Sequence, residues 1–245
     1  PPAPAAPRAP APPPRAEHRA AVERQASLRS AVGALMARSK REIPHYDVEL
    51  TIDLSTALAW LAEHNASRPP ADRVLPAALL LRAVALAARD VPEVNGTFAD
   101  GAFHPAAGVT LGVAVSLRSG GIIAPAIPRA DELSLGELMQ ELRGLTGRAR
   151  RGVLRGTDLA EGATLTVTSL GEQGADLVHG VIFPPQVALI GFGRIAERPV
   201  AAHGMVGARP TVIATVAGDH RVSDGHLGSL FLAAVDHHLQ EPDRL

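Results

Sequence analysis

His220 is the residue of this chain best suited to moving a proton. An imidazole titrates near the working pH, so one ring can take a proton from a nucleophile and return it to a leaving group. It stands in the run D-H-R-V-S-D-G, residues 219–225, with Asp224 four positions further on. That carboxylate suits the start of the helical pattern that follows, where it would cap the helix, better than it suits a proton relay. An H-x-x-x-D pair is short enough to arise by chance, so taken alone it also fits a structural histidine. His45, His179, His226, His237 and His238 fall at no spacing that suits metal ligands, and no metal is expected.

The elements around His220 have to hold it rigidly. Thr211 to Ala217 has the length and the Val/Ile/Thr content of a buried strand, and Gly218 ends it. From Asp224 onward, Leu227, Leu230, Phe231, Ala234, Val235 and Leu239 fall at helical spacing, so the histidine sits where a strand hands over to a helix. Gly225 is expected to permit close packing beside it. Further back, the pattern predicts a helix over 18–39, ended by Ile43 and Pro44, then a strand over 45–54. A short helix over 55–64 capped by Ser55, a polar loop over 65–73 and a buried helix over 76–89 follow. Strands over 109–116 and 122–127 are joined by a glycine-rich turn, and an amphipathic helix runs over 133–151 with its arginines gathered at the C-terminal end. Strands over 162–169 and 187–192 complete the pattern.

Composition narrows the function classes. The 245 residues are 46% hydrophobic and 3% aromatic, enough for a substantial core built from Ala, Val, Leu and Ile. The net charge of −1, with arginines and acids interspersed, gives no electrostatic case for nucleic acid or a membrane surface. With no cysteine, a thiol nucleophile, a disulfide and a cysteine metal site are all excluded. No apolar run is long enough to span a bilayer and the N-terminus lacks a signal-peptide layout, so a cytoplasmic location is expected. Lys40 is the one lysine among 24 basic residues. Residues 1–17 are Pro/Ala-rich and read as a semi-rigid linker, roughly 50 Å long at about 3.1 Å per residue, ahead of a folded domain over 18–245.

The D-H-R-V-S-D-G run, with its strand before and helix after, resembles the D-H-R-x-x-D-G signature of the dihydrolipoamide acyltransferases, the core components of 2-oxo acid dehydrogenase complexes. Other segments resemble the same family. Ser39, Lys40, Ile43, Pro44, His45 and Tyr46 match its S-K-x-x-I-P-H-[FY] run, and P-E-V-N-G at 92–96 is similar to its P-x-V-N run. The hairpin at 109–127, L-T-V-T-S-L-G at 165–171 and P-Q-V-A-L-I-G at 185–191 resemble three further runs, so the likeness extends from about Leu28 to Arg244.

The resemblance implies an α/β (α+β) chloramphenicol acetyltransferase-like fold, a mixed sheet flanked by helices, assembled as a trimer. It implies acyl transfer, acetyl favoured as in a pyruvate dehydrogenase complex, between the dihydrolipoyl thiol of a lipoyl domain and coenzyme A. His220 matches the family's general base. The family's oxyanion-stabilising serine falls at Thr168, which keeps a hydroxyl on a stiffer side chain. Ser169, the next residue, would point to the opposite strand face, and Thr168 is favoured on that alternation. Each site is expected to join His220 of one chain to Thr168 of the next. The expected partners are the decarboxylase and dihydrolipoamide dehydrogenase components, with the lipoyl group on a separate or missing domain. Two alternatives remain: a non-catalytic scaffold core, or a free-standing small-molecule acetyltransferase.

Overall fold

The computed structural model describes residues 14–117, 122–153, 162–171, 174–202 and 204–245. Its centre is a mixed sheet built on one long strand. That strand, β11 (Met205–Asp219), pairs antiparallel with β1 (His45–Asp53), β9 (Ala188–Phe192) and β10 (Ala196–Ala202). Beyond β9 come β8 (Leu165–Ser169), parallel to β9, then β4 (Leu111–Val113), parallel to β8, and β7 (Ala126–Ile127), antiparallel to β4. Two short ribbons stand apart: β2 (Gly96–Ala99) with β3 (Ala102–Pro105), and β5 (Val115–Ser116) with β6 (Ile122–Ile123).

Strand alternation divides the sheet into two faces. Ile52, Val167, Ile190, Phe192, Val212, Ala214 and Val216 are buried on one face, against α3 (Pro76–Asp90), α4 (Leu135–Arg151) and α5 (Gly225–Gln240). The other face carries Asp47, Glu49, Thr166, Thr168, Leu189, Gly191, Thr215 and Ala217, as the registers require. Part of it is covered by the segment 174–183 and the end of α1 (Pro14–Glu42), where Ile43 and Ile182 pack on Leu189 and Ala217. α3 is apolar almost all round because α4 and α5 pack beside it as well as the sheet.

Most expected elements stand where the pattern put them, and several boundaries move. α1 begins at Pro14, inside the expected 1–17 linker, and runs on to Glu42; proline is tolerated in a first helical turn because its missing N–H has no intrahelical partner there. α2 (Ser55–Asn65) is not capped by Ser55. Instead the Asp53 carboxylate accepts from the Ser55 N–H and hydroxyl at 2.9 and 2.6 Å. The 109–127 hairpin forms as β4–β7 and β5–β6, while its turn, 118–121, lies outside the described residues. The sequence pattern did not disclose β10, the N-terminal third of β11 or the β2–β3 ribbon.

Candidate active site

Asp219 ends β11, and the chain turns at once into α5. The turn is tied at its base: the Asp219 N–H donates to the Val187 carbonyl at 2.8 Å and the His220 N–H to the Pro44 carbonyl at 2.9 Å. Asp219 is fully buried, and its carboxylate accepts from Arg221 Nε at 2.9 Å and Nη2 at 2.6 Å. The partner of Arg221 is therefore Asp219, its neighbour but one in sequence. This bond to Asp219 pushes the Arg221 guanidinium above its ordinary value.

Asp224 is the N-cap of α5, its Oδ1 accepting from the His226 and Leu227 N–H groups at 3.0 Å each. The Leu227 N–H first, then that of His226, outweigh desolvation and hold this carboxyl below the usual range. A carboxylate so engaged anchors the helix start, in keeping with the cap expected from sequence.

Tyr46 closes the turn from β1. Its ring meets the His220 imidazole edge-on, with centroids 5.3 Å apart, and its hydroxyl lies 2.8 Å from Ser223 Oγ. Burial is the main force pushing the Tyr46 hydroxyl up from its ordinary value. The ring fits because residue 218 is glycine: a Cβ there would sit 2.3 Å from Tyr46 Cζ. Gly225, the glycine expected to allow close packing, would bring its Cβ no nearer than 3.8 Å to Val48, which is ordinary contact. Gly218 carries that constraint instead. The His220 imidazole itself is exposed and makes no hydrogen bond among the described residues.

The S-K-x-x-I-P-H stretch serves the same turn from behind. Ser39, fully buried, donates to the Ile182 carbonyl at 2.6 Å. The Ile182 N–H donates to His45 Nε2 at 3.1 Å, so Nδ1 carries the ring hydrogen and donates to the Ile43 carbonyl at 2.9 Å. His45 is thereby a structural strut. His179 lies 3.7 Å from both Asp47 and Glu49 on the open sheet face, and His238 pairs with Asp90 at 2.7 Å.

Thr168 and Ser169 part company as alternation requires. Ser169 lines a cavity of about 650 Å³ on the helix side, bounded by Leu75, Val113, Leu142, Arg143 and Leu170. Thr168 is on the other face beside Gly191, half-buried. Two positions back on that face, Thr166 donates to Gln186 Oε1 at 2.7 Å.

Within one chain Thr168 and His220 do not come together. Thr168 pairs with Gly191 and Gly191 with Thr215, and His220 lies beyond the end of β11, past Asp219. At about 3.3 Å per residue and about 4.8 Å per strand, Thr168 and Asp219 stand roughly 16 Å apart. The hydroxyl lies level with Thr215, two strands away from β11, and the imidazole lies past the C-terminal end of β11.

Sequence reasoning missed Phe98, whose ring lies 4.0 Å beneath the Arg221 guanidinium. A signal for Phe98 was present. T-F-A-D-G-A-F-H alternates about an Asp-Gly pair, and Asp100 and Gly101 both adopt positive φ, 52° and 78°, as a tight hairpin turn demands.

Comparison with known proteins places this architecture. The chain is 29% identical over 220 residues to the dihydrolipoyllysine-residue acetyltransferase component of the pyruvate dehydrogenase complex of Rhizobium meliloti, covering 88% of this chain and 49% of that protein. It is 33% identical to the lipoamide acyltransferase component of the branched-chain alpha-keto acid dehydrogenase complex of Pseudomonas putida, covering 88% and 51%. The chain thus spans about half the length of the curated relatives it matches. Among solved structures, dihydrolipoamide acetyltransferase of Azotobacter vinelandii, studied for the roles of a serine, a histidine and an asparagine in catalysis, superposes with a TM-score of 0.82 at 25% identity. That match covers 88% of this chain and 89% of that one. A chloramphenicol acetyltransferase shares the fold, with a TM-score of 0.52 at 14% identity over 84% and 94% of the two chains. Residues 17–245, which take in the whole sheet and the His220 turn, match the family model for 2-oxoacid dehydrogenases acyltransferase (catalytic domain), and the chain belongs to that family.

Proposed function

We propose that this chain transfers an acyl group between the dihydrolipoyl thiol of a lipoyl domain and coenzyme A, in a site shared by two subunits of a homotrimer. One observation carries the reading: the imidazole and the threonine hydroxyl are each exposed or half-buried, and the registers keep them apart within one chain, Thr168 and Asp219 standing roughly 16 Å from each other. A cyclic trimer supplies the missing half of each site from the neighbour.

The chemistry follows from the groups. His220 removes the proton from the attacking thiol, coenzyme A in the forward direction, and the sulfur forms a bond to the thioester carbonyl carbon. Charge on the carbonyl oxygen is met by the Thr168 hydroxyl of the adjacent chain. Collapse breaks the bond to the dihydrolipoyl sulfur, and the imidazolium returns its proton to that leaving group. Asp224 holds the helix behind the base rather than taking part in proton transfer.

The spacing of the Azotobacter protein's studied residues supports these roles. Its serine and histidine stand as far apart along the chain as Thr168 and His220, and its asparagine follows the histidine as Asp224 follows His220. The relatives named for pyruvate and branched-chain complexes support the decarboxylase and dihydrolipoamide dehydrogenase components as partners, with the lipoyl group on another domain. A cytoplasmic location for the trimer belongs to the same proposal; separately, among the described residues no helix is long and apolar enough to cross a membrane.

The test is acyl transfer to free dihydrolipoamide from acetyl-, isobutyryl- and succinyl-CoA, with acetyl expected to be fastest. Transfer with one donor that falls by about 10²-fold or more in His220→Ala supports the reading. A folded trimer that transfers from none of the donors would contradict it and favour a scaffold.

A further inference from the structure

Asp219 and Arg221 flank His220 in sequence and close a ring over its backbone, Nε to Oδ1 and Nη2 to Oδ2. The carboxylate is fully buried and needs its cation in one fixed geometry. The guanidinium is only partly buried, and what lies under its planar face is the Phe98 ring, 4.0 Å from Cζ to centroid. Phe98 is itself held rigidly. Its N–H donates to the Pro185 carbonyl at 2.8 Å, Thr97 bridges to Gln186, and Phe103 stands opposite on β3. One residue beyond Gln186, the Val187 carbonyl receives the Asp219 N–H. The β2–β3 ribbon, the 185–187 segment and the histidine turn therefore form one closed circuit of contacts.

We propose that Phe98 is a positioning residue for the base: its ring face holds Arg221 on Asp219 and so fixes the backbone segment that aims His220. This rests on the reading of His220 as general base. The ring attracts the guanidinium electrostatically and keeps water from that face. With the ring gone, the arginine can turn toward solvent, the turn samples other geometries and the imidazole meets the thiol less often in line. Phe98 acts through Arg221 and Asp219, so its removal lowers kcat and leaves substrate binding alone.

The experiment compares Phe98→Leu, which keeps an apolar contact but no ring, with Phe98→Tyr, which keeps the ring, both as assembled full chains. For Phe98→Leu, kcat is expected to fall about tenfold with KM for coenzyme A and dihydrolipoamide within about twofold; for Phe98→Tyr, all three constants stay within about twofold of wild type. Hydrogen exchange of the 218–223 backbone should accelerate in the leucine variant and stay unchanged in the tyrosine variant. Unchanged kcat with unchanged exchange overturns the proposal, as does a loss carried by KM, which would place Phe98 in substrate binding. If instead wild type transfers no acyl group, or His220→Ala remains active, the functional reading fails, while the exchange comparison still decides whether Phe98 holds the turn.

Discussion

At the scale of single residues, the proposal turns on two side chains kept apart within one chain, the half-buried Thr168 hydroxyl on the open sheet face and the exposed His220 imidazole past the end of β11. The D-H-R-x-x-D-G run made His220 and Asp224 legible because a strand, a turn and a helix follow one another there without interruption. Thr168 is singled out by the resemblance to the family's serine position, and alternation separates it from Ser169, since Val167 on the helix side leaves Thr168 on the other face. What the sequence could not disclose is which atoms hold the histidine. Asp219 could be seen as an acid near Arg221, but only the fold shows it fully buried and bidentate, and Phe98 is more than a hundred residues away. The hydroxyl assignment has its own test. Thr168→Ala is expected to lower kcat by about 10²-fold, the effect of removing one oxyanion donor, with Thr168→Ser close to wild type and Ser169→Ala nearly unaffected. Steady-state kinetics decide it, and a large loss confined to Ser169→Ala would move the oxyanion site to the helix-side cavity.

At the scale of elements, boundaries follow caps, and caps carry a pH signature. α4 opens with Ser134 and Glu137 each bonding the other's backbone N–H, and the side-chain bond from Ser134, more than its backbone bond, holds the Glu137 carboxyl low. α5 opens on Asp224, held low first by the Leu227 N–H. A carboxyl depressed in the folded state stabilises above its unfolded value near 3.9, and that contribution is lost as pH falls through the folded value. Thermal melts should therefore show Asp224→Ala less stable than wild type at pH 7, with the gap narrowing below about pH 4 and Asp224→Asn staying near wild type at pH 7. A gap that grows on acidification would mean the carboxyl is not held ionised by the helix start. The elements that escaped sequence reading were short or long for identifiable reasons. β2 and β3 have four residues each, so the Asp-Gly pair between them is the main mark of the ribbon, and Met205 to Arg209 pairs only with β10, so it lacks the buried run that marked the rest of β11.

At the scale of the whole molecule, one sheet presents its helix-backed core on one side and its chemistry on the other and at its ends. That arrangement explains why the histidine turn is tied through backbone, carboxylate and ring contacts while its imidazole stays exposed. A site divided between chains makes a demand that no single-chain site makes. His220→Ala and Thr168→Ala chains, each inactive alone, should restore one another when coexpressed or refolded together, because a neighbouring pair can join the intact imidazole of one to the intact hydroxyl of the other. Every mixed trimer has two chains of one kind and one of the other, so one of its three interfaces is such a junction, and the mixed trimers should recover about a third of wild-type acyl transfer. Isolation of the mixed trimers by two affinity tags, followed by the coenzyme A to dihydrolipoamide assay, measures it directly. Activity near a third is the expected result; mixed trimers as inactive as their parents would place base and hydroxyl in one chain and contradict the account.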